Sequence, residues 1–291
     1  MRDGKVKGRL RCARRMACHS GAMLRSILLA LDDTPGAQAA RDMAFALARR
    51  HGARLTALVV LDRPHTLDEA EPVPVGGSAF ATRRNAALAR AVEEEAARVL
   101  AEAREAAQGF AFAVERSEAA PEEALLAAGA AHDLVVIGRD STLGREACDD
   151  GLAPVIEALV QDGARPLLVV PPGPAPLDGP VLAAAQPGLA SQRALQLFAL
   201  LGLGRGRAVT VQGFGADPGP VAAYLALHGC EARAVPAEGE AEAILPAGAR
   251  ALGAALLVIG AEPEGGLARL VFGSAAASLL RGAPCPVFIH G

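Results

Sequence analysis

The sequence predicts an α/β protein built from two tandem, doubly wound, five-stranded parallel-sheet domains. Three observations predict it. Leu134-Val135-Val136-Ile137-Gly138 returns as Leu256-Leu257-Val258-Ile259-Gly260, and each copy is followed thirteen residues later by a glycine, Gly151 and Gly273. Short continuous apolar runs, the pattern of parallel strands covered on both faces, alternate with apolar stripes of helical period. A proline-rich run at 171–180 divides the chain, and such a composition is extended and semi-rigid.

The repeat fixes the domain boundaries. Residues 134–151 map onto 256–273 without a gap, and 164–170 match 284–290 after a two-residue slip. Upstream, 27–32 pair with 181–186 at an offset larger by about thirty residues, so the second copy has lost a helix-sized piece. The division is a basic, disordered extension at 1–22, a first domain at 23–171, a linker at 172–180 and a shortened second domain at 181–291. Met23 stands just before the first strand, so the extension also reads as an over-long gene start.

Each element has its own signal. Residues 27–31 are a fully apolar strand, after which Thr34 offers an N-cap oxygen, Pro35 suits the first helical position and Gly52 closes the helix. Between them Ala40, Met43, Ala44, Leu47 and Ala48 form one stripe. A strand at 55–61 leads into a long connection at 62–79, rich in Pro, Gly and acids, and then a helix at 82–108 with Gly109 beyond it. Strand 111–115, helix 121–131, strand 134–137, a helix ending at Asp162 and strand 167–170 complete five strands. The second copy reads as strand 181–185, helix 191–201 closed by Gly202, strand 208–212, helix 220–228, strand 231–235, helix 240–252, and strands 256–259 and 287–289. Alternation of this kind implies right-handed crossovers.

Composition removes several function classes. The first 22 residues carry seven Arg or Lys against one Asp, which leaves 22 basic and 31 acidic residues in the body. An acidic body opposes phosphate-backbone binding, so no nucleic-acid partner is expected. Lys5 and Lys7 are the chain's lysines, so neither domain holds a P-loop or Schiff-base lysine. Apolar runs fall short of the twenty or so residues that span a bilayer, so no membrane partner is expected. The five cysteines, Cys12, Cys18, Cys148, Cys230 and Cys285, form no C-x-x-C pair, and a reducing cytoplasm fits them best. Cys12, Cys18 and His19 lack a zinc-site framework, so no metal is expected.

Ligands of such sheets sit beyond the carboxyl ends of the strands, where the strand order reverses. The first strand ends at Asp32 and Asp33 and the fourth at Gly138, so both face one crevice. A carboxylate there accepts hydrogen bonds from a sugar or base, and glycines before a helix present N–H groups to phosphate. The simpler alternative for these glycines is a tight strand-to-helix turn. His65, His132 and Asp140 show no triad or metal spacing and read as structural or surface residues, as do Glu93, Glu94 and Glu95 on a solvated helix face. No nucleophile is held by a base, so no enzymatic activity and no catalytic residue are expected.

An apolar strand ending in Asp, V-I-G with a spaced glycine, and A-P-C-P before a last apolar strand resemble the universal stress protein family over about residues 24–290, in both halves. The resemblance implies a Rossmann-like tandem member in which the paired domains imitate a dimer formed through the last strands. It also implies a regulatory or protective role in stress, an unknown protein partner, and homodimerisation as an open alternative. Nucleotide-binding members carry G-x-x-G, nine residues, then G and Ser or Thr. On that pattern Asp32 is the acid, Val60 the backbone contact to adenine, and Gly138 and Gly151 the outer glycines, while Ser141 replaces the middle glycine and Leu152 the hydroxyl residue. The second domain keeps Gly260, Gly273 and Ser274, with Gln186 in place of the acid and Pro263 in place of the middle glycine. Gly144 in the first loop and Gly265-Gly266 in the second are candidates to restore the turn.

The implied ligand is ATP, weakly bound in the first domain, with Mg only where ATP binds. Proline lacks the N–H and forbids a left-handed turn, and each lost charge-assisted bond costs about tenfold to a hundredfold in affinity. The alternative is an interaction scaffold with empty, degenerate pockets.

Overall fold

The computed structural model describes residues 24–62, 78–145, 150–261 and 274–291. The extension, His65, Pro263, Gly265, Gly266 and Gly273, and most of the long connection after the second strand, lie outside the described residues. The first domain runs β1 (Ser26–Ala30), α1 (Pro35–His51), β2 (Arg54–Val60), α2 (Ser78–Ala106), β3 (Ala113–Ser117), α3 (Pro121–Gly129), β4 (Leu134–Gly138), α4 (Pro154–Asp162) and β5 (Leu167–Val170). The second runs β6 (Val181–Ala185), α5 (Leu189–Leu200), β7 (Ala208–Phe214), α6 (Gly219–Leu227), β8 (Glu231–Ala237), α7 (Ala241–Leu252), β9 (Leu256–Gly260), α8 (Ser274–Gly282) and β10 (Val287–His290).

Local signals act as the sequence says they should. The Thr34 hydroxyl accepts from the Ala37 N–H at 3.2 Å, Pro35 opens α1, and Gly52 closes it at φ +65° with its N–H on the Ala48 carbonyl. A left-handed cap of this kind suits glycine, which has no Cβ to clash. β1, β4, β6 and β9 are buried along almost their whole length, because helices cover both faces of the sheet. Met43, Val99, Phe198 and Leu225 belong to the core beneath α1, α2, α5 and α6. Leu125, Ile156, Leu245 and Leu280 belong to the core beneath α3, α4, α7 and α8.

The strand order is β3-β2-β1-β4-β5-β10-β9-β6-β7-β8. Each half is parallel and its strand order reverses between its first and fourth strands, which places a crevice at the carboxyl ends of β1 and β4 in one half and of β6 and β9 in the other. The halves join edge to edge through an antiparallel β5–β10 pair, with Leu168 opposite Phe288. That pairing closes two strand edges that would otherwise template aggregation. Arg139 adds a second tie, since one guanidinium nitrogen reaches the carbonyls of Leu280, Arg281 and Ala283 at 3.0–3.2 Å.

Three expectations shift. The strand expected at 111–115 lies at Ala113–Ser117. Gln108 and Gly109 turn at positive φ, and Phe110 and Phe112 pack on Phe45 at centroid distances of 6.0 and 5.4 Å instead of entering the ladder. Helix α8, which the sequence reading passed over, carries buried Ala276, Ala277, Leu279 and Leu280. The helix-sized loss in the second copy is a shortening, since the helix expected at 220–228 is present in its β7–β8 connection. That helix, α6, has 9 residues where α2 has 29.

Candidate functional site

The carboxyl ends of β1, β2 and β4 bring Asp32, Val60 and Gly138 to one end of the first domain. Asp32 is 7% exposed. Its Oδ1 accepts from the Thr34 hydroxyl at 2.7 Å and the Thr34 N–H at 3.0 Å, and its Oδ2 accepts from the Leu143 N–H at 2.9 Å. Burial raises the pKa of this carboxyl above the ordinary aspartate value, against the pull of the Leu143 and Thr34 hydrogen bonds. Asp32 and Val60 line one cavity together with Val99 of α2, Leu143 and Gly144. It holds about 50 Å³, whereas ligand pockets run to several hundred.

The loop after β4 fills that space. Leu143 adopts φ +52° and Gly144 φ +87°, a reversal that turns the Leu143 side chain inward until it is 2% exposed. Arg145 holds the loop down. Its Nε donates to Asp62 at 2.9 Å, and its two terminal nitrogens donate to the two Glu122 oxygens at 2.6 and 2.8 Å. The Glu122 contact is a two-pronged guanidinium–carboxylate pair, the strong form of such a bond. Leu152 is buried in the same core as Leu143, so the residue in place of the hydroxyl has joined the packing. Leu143, Arg145, Asp62 and Glu122 were not singled out from the sequence. Leu143 alone has a sequence signal, an apolar residue just before Gly144.

Both repeated strand-end glycines have a packing role. A Cβ on Gly138 would lie 2.3 Å from the Ala37 nitrogen, and one on Gly260 would lie 2.2 Å from the Ser191 nitrogen. Each glycine therefore lets the first helix of its domain press its amino end against the fourth strand. Ser141 is buried, with its hydroxyl oxygen unpartnered, and Gly151 turns at φ +66°.

The second domain is built differently. Gln186 donates its backbone N–H to the Ser191 hydroxyl at 3.0 Å and lines a groove of about 500 Å³ with Leu195, Asp217 and Tyr224. In the first domain the long α2 lines the crevice through Val92, Ala96 and Val99, and in the second the short α6 lines the wider groove through Pro220, Val221 and Tyr224. Ser274 opens α8, and Gly273 lies outside the described residues. Away from the crevices, the His132 ring bonds the Ala128 carbonyl at 2.9 Å and Glu93 pairs with Arg116 at 3.1 Å; Asp140, just past the end of β4 and beside Gly36, keeps a buried, unpartnered oxygen.

The fold recurs in solved structures. A universal stress protein from Archaeoglobus fulgidus is 16% identical, with a TM-score of 0.65 and coverage of 91% of this chain and 95% of that one. A putative universal stress protein from Pseudomonas aeruginosa UCBPP-PA14 is 18% identical, with a TM-score of 0.56 and coverage of 92% and 93%. A functionally unknown protein from Pseudomonas aeruginosa PAO1 is 18% identical at a TM-score of 0.57, with coverage of 92% of each chain. No curated protein matches the sequence. The family model described as "Universal stress protein family" matches twice, at residues 23–171 and 142–290. Two matches on one chain, with two mirrored five-stranded halves, place this protein in the universal stress protein family as a tandem, two-copy member.

Proposed function

We propose that this protein is a non-enzymatic, cytoplasmic regulator or protector in the stress response, acting chiefly as an interaction scaffold whose first nucleotide pocket is held shut by its own chain. The observation that carries the reading is the Leu143 N–H on the Asp32 carboxylate at 2.9 Å. That bond occupies an oxygen which the family pattern offers to a ligand, and the Leu143 side chain takes the adjoining volume. The partner is a protein. Among the described residues no helix is long and apolar enough to cross a membrane.

The test is direct. Protein purified from cells is denatured and any released nucleotide is measured, and native protein is then titrated with ATP and Mg²⁺ by calorimetry. The scaffold reading expects no retained nucleotide and no saturable binding up to millimolar ATP. Binding in the micromolar range that disappears in Asp32→Ala overturns it.

A second reading is weak adenine-nucleotide binding in the first domain, with ATP displacing the loop around Leu143. It is favoured by the shared cavity of Asp32 and Val60, the acid and the adenine-contact position of the family pattern. Binding in the millimolar range, weakened by Asp32→Ala and unaffected by Ser274→Ala, supports this second reading over the first.

A further inference from the structure

Between the domains, at the end of the sheet opposite Asp32, lies a cavity of about 330 Å³. It is bounded by the end of α1, the turn between α5 and β7, the linker and the first residues of β5 and β9. Cavities at domain junctions are a common place for small ligands, and this volume lies at the lower end of their range. Met43, Leu47, Leu168 and Leu203 give it apolar walls.

Its charge is unbalanced. Three arginines, Arg50, Arg205 and Arg207, line it, and Asp178 is the one carboxylate in the lining. His51 is held toward its neutral form by burial and then by Arg50. Arg207 donates through Nε to the Gly179 carbonyl at 3.0 Å and through Nη1 to the Leu203 carbonyl at 3.3 Å, while Nη2 is buried without a partner. Burial, then the charge of Arg50, lowers the pKa of the Arg207 guanidinium. Serving the carbonyls at a helix end accounts for part of this positive charge. It does not account for the buried Nη2 of Arg207, which has no partner. The one acid is loosely placed: Asp178 sits on the linker, its side chain is 83% exposed, and it pairs with Arg50.

We propose that this cavity binds a small organic phosphate, a phosphomonoester held through its dianion by Arg50 and Arg207, with Arg205 at the rim. Its apolar or aromatic body lies against Met43, Leu47 and Leu203. The buried, unpartnered Arg207 nitrogen and an Arg50 whose exposed carboxylate partner can be displaced offer donors to a dianion, and the planar guanidinium fork matches phosphate oxygens in pairs. Asp178 is then the internal anion that occupies Arg50 until the ligand displaces it. The site exists only because the two copies are joined, since residues from both halves and from the linker line it.

The experiment titrates the full-length protein at low salt with phenyl phosphate, following heat by calorimetry, with inorganic phosphate and phenol as separate arms. Phenyl phosphate is expected to saturate one site, more tightly than either fragment alone. Arg50→Met should weaken it about tenfold, the usual loss for one charge-assisted bond, and Asp178→Asn should tighten it about threefold or more. Both side chains are substantially exposed, and a matching far-ultraviolet circular dichroism spectrum verifies that each variant is folded. Absence of saturable phenyl phosphate binding overturns the proposal, and so does binding that neither variant changes or that phenol alone reproduces.

Discussion

The backbone N–H of Leu143 donates to the Asp32 carboxylate at 2.9 Å across 111 residues of sequence, and the side chain of the same leucine fills the space beside that carboxylate. One residue thus supplies both the polar and the apolar part of what a bound molecule would bring. Leu143 holds a positive φ that a branched side chain rarely adopts, and burial together with the Arg145 pairs keeps it there.

Leu143→Gly separates the roles of the side chain and the N–H. Glycine accepts the same φ, which recovers about 1 kcal/mol, while the loss of a buried leucine costs about 2–5 kcal/mol. Chemical denaturation should show a net loss of about 1–4 kcal/mol. ATP titration should show binding at least tenfold tighter than in the parent protein; an unchanged titration would mean that Leu143 is not the plug.

Asp32 gives a pH signature with a definite sign. Burial raises its folded pKa above the ordinary 3.8, so between those two values the folded state binds more protons than the unfolded one. Its contribution is fully present below 3.8 and is lost as pH rises through the raised value. Asp32→Asn removes this titration. The stability of the parent protein minus that of Asp32→Asn should therefore fall as pH increases through that window, measured by urea unfolding at matched pH values; a difference that is flat or rises with pH contradicts the burial argument.

Gly138→Ala and Gly260→Ala should each destabilise the protein by about 1–3 kcal/mol or more, because the added methyl meets helix backbone that has no room to yield. The effect is expected in nucleotide-free protein and to a similar extent in both domains. Thermal melts check it, and a loss seen only when nucleotide is present would assign these glycines to ligand contact instead.

Cys285 is 5% exposed, and burial pushes its thiol up to about 11. The thiolate is the reactive form, so alkylation of the native protein by iodoacetamide at pH 8 should label the Cys285 peptide at least tenfold more slowly than the unfolded protein. Cys230 should follow it, since burial raises its pKa as well. Peptide mapping by mass spectrometry reads both.

Much of the fold was legible because its determinants are local. Thr34, Pro35 and Gly52 bound α1 through atoms within a few residues of each end, and the apolar runs of β1, β4, β6 and β9 name strands covered on both faces. The strand at 111–115 was misplaced because Phe110 and Phe112 look like strand residues until Phe45, more than sixty positions earlier, is there to receive them. At the candidate site the sequence named Asp32, Val60 and Gly138 by their position at strand ends. It gave no sign of Arg145, whose partners Asp62 and Glu122 come from two other segments.

The sequence by itself determined the duplication, the alternation of strands and helices and the identity of the crevice acid, since each follows from local pattern and period. Only the tertiary structure decided that β5 and β10 join the copies into one sheet, that Leu143 closes over Asp32, and that three arginines from two domains surround one cavity. These depend on which distant surfaces are brought together when the core excludes water. Packing across the whole chain sets that choice, and no local pattern records it.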